Sequence, residues 1–234
     1  MRISCVLTVA ASAAVAALAG GAAVAQPERF VNVYNWSDYI APGVLEDFTK
    51  ETGIRVRYDT FDSNDTLETK LLAGKSGYDV VVPTAYFLER QIKAGVFQKL
   101  DKAKLPNLAN VWPAIAMRLA AHDPGNQYAV NYMWGTVGIG FNMKKAREIL
   151  GPDTAIDSWS LVFDPVRLAK FKDCGVHMLD SSDDILPTAL HHLGRDPNSA
   201  DPADLEAAAA LVAKVRPFVH KFHSSEYLNA LAGG

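Results

Sequence analysis

Cysteine is almost absent: the chain has Cys5 and Cys174 and no third. That excludes a disulfide-stapled scaffold and a cysteine-built zinc site. No G-x-S-x-G, Walker loop or H-E-x-x-H occurs either, so the usual sequence marks of a nucleophilic serine, a phosphate cradle or a zinc protease are missing. Positive charge is not in excess. The 23 Lys and Arg face 26 Asp and Glu without any basic run, which argues against nucleic acid as a partner. The six histidines supply only adjacent His191 and His192 and the spaced His220 and His223. Neither pair brings a third ligand, so no metal and no cofactor is expected.

Long apolar runs are confined to the start. Val6 to Ala19 follows Arg2, and Ala23-Val24-Ala25 gives a small-x-small cleavage pattern. Residues 1–25 therefore read as a signal peptide cut after Ala25, with the mature chain starting at Gln26 in the periplasm or another extracytoplasmic space. A membrane anchor fits less well, because the run is short, Ala-rich and followed by the cleavage pattern, so no stable membrane insertion is expected after cleavage. Cys5 precedes the run rather than ending it, so a lipid-anchored Cys is not indicated. About 209 residues remain, enough for one large domain or two small ones, and loss of Arg2 takes the formal charge from −3 to −4. Cys174 is then a lone thiol in an oxidising compartment: a buried free thiol, or a residue whose partner is missing.

What is present alternates strand-like and helix-like stretches, the pattern of an α/β fold with a mainly parallel sheet. Phe30 to Tyr34 alternates as a first strand. A helix is expected from Pro42 to Glu51, with Pro42 in its first turn, Val44, Leu45 and Phe48 as its apolar face, and Gly53 as its stop. Ile54 to Tyr58 reads as a second strand, Asp62 to Asp65 as N-cap candidates, and Leu67, Leu71 and Leu72 as one helical face. The Val80-Val81-Val82 run predicts a strand covered on both faces. A helix follows from Phe87 to Gly95. Tyr128 to Asn142, with Gly135, Gly138 and Gly140, reads as a strand crossing into a second domain. Further helices are expected at Lys144–Leu150, Ser158–Lys170 (interrupted at Pro165), Ile185–Leu193, Asp204–Val215 and from Tyr227 onward, with a strand over Gly175–Leu179.

Chemistry collects at strand ends, where open α/β sheets bind ligands. Trp36, Ser37, Asp38 and Tyr39 follow the first strand, Thr84 and Tyr86 the valine strand, and Asp180 to Asp184 the strand from Gly175. Aromatic faces beside carboxylates suit an organic cation. The same residues are also compatible with plain turn chemistry, a core Trp, and acidic groups favoured by a helix N-terminus. Asp38 with Asp184 could also serve as a secreted hydrolase's acid and base, although any two carboxylates in a cleft satisfy that description.

Several segments in order resemble the polyamine-binding periplasmic proteins of ABC transporters. They include Tyr34 to Pro42, Glu51 to Ile54, Phe61 to Asn64, Asp79 to Pro83, Phe87 to Gln91, Tyr132 to Trp134 with Gly138 to Gly140, Asp157 to Trp159, Lys172 to Val176, and Phe222 to Ser225. The likeness covers essentially all of the mature chain and is nearer to the putrescine-binding than to the spermidine-preferring members. It implies a type II periplasmic-binding-protein fold, two α/β lobes closing on a ligand, with a first lobe over residues 26–131 and a second over 132–234. It also implies that this is not an enzyme, that a polyamine is the ligand, and that ABC permease subunits are the partner. The implied ligand-binding residues are Trp36, Ser37, Asp38, Tyr39, Thr84, Tyr86, Ser181 and Asp184, with no catalytic or metal-binding residue. Thr84 keeps a hydroxyl where the family commonly has Ser. Asp184 stands for a Glu that contacts an amine end. Tyr86 matches the spermidine binders, whereas Ser181 matches neither the Ala of the putrescine binders nor the Asp of the spermidine binders, so ligand length is left open. Family members continue well past Gly234, carrying further cleft groups and a partner for Cys174. The resemblance therefore implies a C-terminally incomplete second lobe, and a non-binding fragment is the rival reading.

Overall fold

The computed structural model describes residues 28–234, so the signal-peptide expectation for 1–25 lies outside the described residues. Strand β1, Phe30–Trp36, sits between two parallel neighbours: β2, Arg55–Phe61, and β3, Val80–Val81. β1 is two residues longer than its alternation implied, so Trp36 belongs to the strand rather than to the turn behind it. The full seven-residue register with β2, Phe30 on Arg55 through Trp36 on Phe61, brings both strands to the same edge together. Tyr34, Phe61 and Leu67 form the small core behind this sheet, with the Tyr34 ring stacked on Tyr78 at 4.5 Å.

Helix α1, Val44–Thr52, starts later than expected. Gly43 holds φ at 85°, a left-handed value that a helix cannot include, which leaves Pro42 in the turn before the helix. Gly53 stops it as expected, at φ 69° with its N–H on the Thr49 carbonyl. The expected apolar face is not covered: Val44 and Phe48 are exposed. Helix α2, Asn64–Leu72, begins at Ser63, whose hydroxyl accepts the Thr66 N–H, and ends before Gly74 at φ 74°. Leu67 is fully buried, but Leu72 at the helix end is exposed. The valine strand shrinks to Val80–Val81, and Val80 is half exposed. This is an edge strand of the sheet among the described residues, and the exposure of Val80 leaves one of its faces without the cover a valine run usually signals. Helix α3, Ala85–Lys93, follows, then α4, Pro113–Ala120.

From Tyr128 to Asn142 there is no strand. The stretch runs without a sheet partner among the described residues, and Tyr132, Met133 and Trp134 are exposed. The crossover-strand expectation is thus corrected: apolar, glycine-spaced sequence makes a strand only where another edge accepts its backbone. Its entry is well anchored, because buried Asp123 accepts the N–H groups of Gln127, Tyr128 and Ala129.

The second half builds its own core. Helices α5 (Met143–Leu150), α6 (Ser160–Phe163), α7 (Pro165–Ala169), α8 (Ser182–His192) and α9 (Pro202–Val215) precede α10 (Tyr227–Gly233). Asp164 separates α6 from α7 by capping the Val166 and Arg167 N–H groups just where Pro165 interrupts. A short parallel pair, β4 (His177–Met178) and β5 (Lys221–Phe222), completes it. β5 is not among the strands expected from the sequence, where Lys221 and Phe222 appear only between two histidines and at the head of a segment of family resemblance. Phe163, Leu168, Met178, Leu190 and Val215 fill the core, while fully buried Ala189 and Ala208 let α8 and α9 pack closely. Cys174 is free and exposed, which overturns the buried-thiol reading.

Candidate functional site

The strand ends face a cleft of about 1640 Å³. That exceeds the 300–1,000 Å³ usual for a small-molecule pocket, as expected of a groove between two cores. Trp36, Ser37, Asp38, Tyr39 and Thr84 line one side, and Ser181 and Asp184 line it from the start of α8. Tyr86, in the first turn of α3, lies against Ser181, Thr84 and Asp184, so the eight residues proposed from the sequence come together.

Each side chain is placed by its element. Trp36 packs on Phe61 with ring centroids 4.7 Å apart, and Tyr39 lies 6.0 Å from Trp36. Between them Asp38 takes φ 63°, one of the few residue types that tolerates the left-handed region, and this turn reverses the chain so that both rings share the cleft. Tyr39 is further held by Tyr132, whose hydroxyl donates to the Tyr39 carbonyl. Thr84 is fixed by Asn64: its N–H donates to Asn64 Oδ1 at 3.0 Å, and Asn64 Nδ2 donates to its hydroxyl at 2.9 Å. Asp184 lies in the first turn of α8 rather than before it.

The electrostatics are one-sided. Burial, with Asp183 adding, holds the Asp184 carboxyl above its ordinary value, against a partial offset from Ser181. Burial first, then Asp184 and Asp183, pushes the Tyr86 phenol up to about 12. Tyr39 is raised by burial and then by Tyr227 and Asp184. Those shared influences place Tyr39, Tyr86, Ser181 and Asp184 in one neighbourhood. No cation pairs with Asp184 or Asp38 among the described residues, and no group of His, Cys, Asp or Glu there is arranged to hold a metal. Sequence reasoning missed Tyr132, Ser225 and Tyr227 as cleft groups. Nothing local marks them, since each reaches the cleft only through the tertiary fold.

A two-core α/β molecule with an acidic, aromatic cleft at its strand ends is the architecture of a solute receptor. The chain belongs to the bacterial extracellular solute-binding protein family, whose model matches residues 43–226. It is 56% identical over 214 residues to the putrescine-binding periplasmic protein SpuD of Pseudomonas aeruginosa strain UCBPP-PA14, covering 92% of this chain and 58% of that protein. It is 50% identical over 212 residues to the putrescine-binding periplasmic protein PotF of Escherichia coli K12, covering 90% and 57%. Among solved structures, a spermidine/putrescine ABC transporter protein from Listeria monocytogenes superposes with a TM-score of 0.76 at 32% identity, covering 88% of this chain and 60% of that one. The TpPotD lipoprotein of Treponema pallidum gives 0.73 at 30%, covering 87% and 60%. The fold is thus the type II periplasmic-binding-protein fold, and the chain spans less than two thirds of these relatives' length.

Proposed function

We propose that this chain is a periplasmic receptor that captures putrescine or a related polyamine and delivers it to the permease subunits of an ABC transporter, without covalent chemistry. The observation that carries the reading is Asp184: a half-buried carboxylate with no cation beside it, facing a cleft walled by Trp36 and Tyr39. Such a group gains most from an ammonium that brings its own charge into a dry site. The indole and phenol faces add cation–π attraction along an alkyl chain, roughly 0.5–2 kcal/mol per contact.

In this reading Trp36, Asp38, Tyr39 and Asp184 touch the ligand, Thr84 and Ser181 offer hydroxyls, and Tyr86 stands beside them at the Asp184 end. Ser37 lines the same wall. The two cores act as lobes, 26–131 and 132–234, and ligand draws them together. The name of SpuD supports a diamine as ligand, and no feature of the cleft supports a hydrolase. A thermal-shift panel tests this. Ligand present at about a hundred times its dissociation constant stabilises a fold by about 2.7 kcal/mol. Putrescine or spermidine should therefore raise the midpoint while glutamate and glucose leave it unchanged; no shift with either polyamine sinks the reading.

A further inference from the structure

We propose that Asp62 is an interlobe clasp: a positioning residue that ties the strand ends of the first sheet, through Ser37, to the turn between β5 and α10. Asp62 Oδ1 accepts the Ser37 hydroxyl at 3.0 Å and the Ser225 hydroxyl at 3.3 Å, the latter from 163 residues away. Its Oδ2 faces His223 Nε2 at 3.9 Å, beyond hydrogen-bond reach but close enough for attraction. A carboxylate only accepts and has room for several donors, so it suits two hydroxyls arriving from opposite sides.

Both sides of the clasp are held before they meet. The Ser37 N–H donates to the Phe61 carbonyl at 3.2 Å, which locks the β1 end to the β2 end. Across the cleft, the Ser225 and Glu226 N–H groups both donate to His223 Nδ1, at 3.0 and 3.2 Å. With Nδ1 occupied as an acceptor, the neutral ring carries its proton on Nε2, the atom facing Asp62. The Asp180 N–H donates to the Ser224 hydroxyl at 3.2 Å, joining the same turn to the end of β4. Ser37 and Ser225 line the cleft and Asp62 does not. Each hydroxyl therefore donates to a carboxylate outside the lining and keeps its oxygen lone pairs for the cleft. The inference uses the receptor reading only for its second arm.

The first arm needs no ligand. Spin labels at Glu51→Cys in α1 and Glu206→Cys in α9, both exposed, in a Cys174→Ser background, report the distance between the two cores by pulsed electron resonance. Asp62→Ala and Ser225→Ala should each broaden or lengthen that distribution. The double variant should do no more than Asp62→Ala alone, and Asp62→Asn, which keeps the Oδ1 acceptor, should stay near the parent. Unchanged distances in both single variants, or additive effects in the double, overturn the clasp. In the second arm, Asp62→Ala should raise the putrescine dissociation rate about threefold with little change in association, the scale expected of a half-exposed contact. An unchanged dissociation rate overturns the role in binding. Absence of putrescine binding by the parent would refute the receptor reading and leave the distance arm to decide the clasp. Should Asp62→Ala fail to fold, Ser225→Ala carries the same test.

Discussion

At Asp184 burial and charge oppose each other. Its folded pKa lies above the ordinary 3.8, so the folded state binds the proton more tightly than the unfolded chain does. Stability therefore falls as pH rises from 3.8 through that folded value, and at neutral pH the charged group is a liability that a bound ammonium relieves. Asp204 behaves oppositely: Ser199 and Arg195 hold its pKa down, and its contribution is lost as pH falls through the folded value. Asp184→Asn should thus raise the melting temperature at pH 7 while weakening putrescine binding by about ten- to a hundredfold, the loss of one charge-assisted contact. Calorimetric melts and titrations on the same variant check both halves. At this scale the sequence was informative, because an aromatic and acidic cluster directly behind a strand is a local pattern. That Tyr86 stands against Ser181 and Asp184 was not locally legible, because the two sides come from different halves of the chain.

At the scale of elements, the clearest features are caps. Ser63→Ala removes the hydroxyl that accepts the Thr66 N–H and should cost about 1 kcal/mol, read from the denaturant midpoint. Gly53→Ala should cost about 1–2 kcal/mol, since a Cβ there meets no atom within 4 Å and the whole penalty comes from holding φ at 69°. These ends were legible because caps and stops are written within a few residues of the helix they bound. The helix at Pro42 was misplaced for a related reason: both Pro42 and Gly43 are start signals, and the positive φ of Gly43 decided between them. Sheet partners were less legible. The Tyr128–Asn142 stretch has strand-like composition and no strand, while Lys221–Phe222 forms one with almost no local signal. Ladder formation depends on which edge is free nearby, which no window of sequence reports.

Across the whole molecule, two cores on one chain make the cleft, and neither supplies it alone. Trp36, Asp38 and Tyr39 come from the first sheet, and Ser181 and Asp184 from the second core. Binding should therefore depend on both. The α/β class and the pairing of strand ends with chemistry were readable from the alternation of elements. The exposure of Val44, Phe48 and Val80 was not, because periodicity shows which face is apolar and not what covers it. The most direct test of the central claim is isothermal titration of putrescine into a chimera. It joins this chain to the portion of SpuD that the chain does not span, with the Asp184→Asn form alongside. A saturable heat with one ligand per protein, weakened at least tenfold by Asp184→Asn, is the expected result; no heat, or equal affinity in the two forms, would contradict the account.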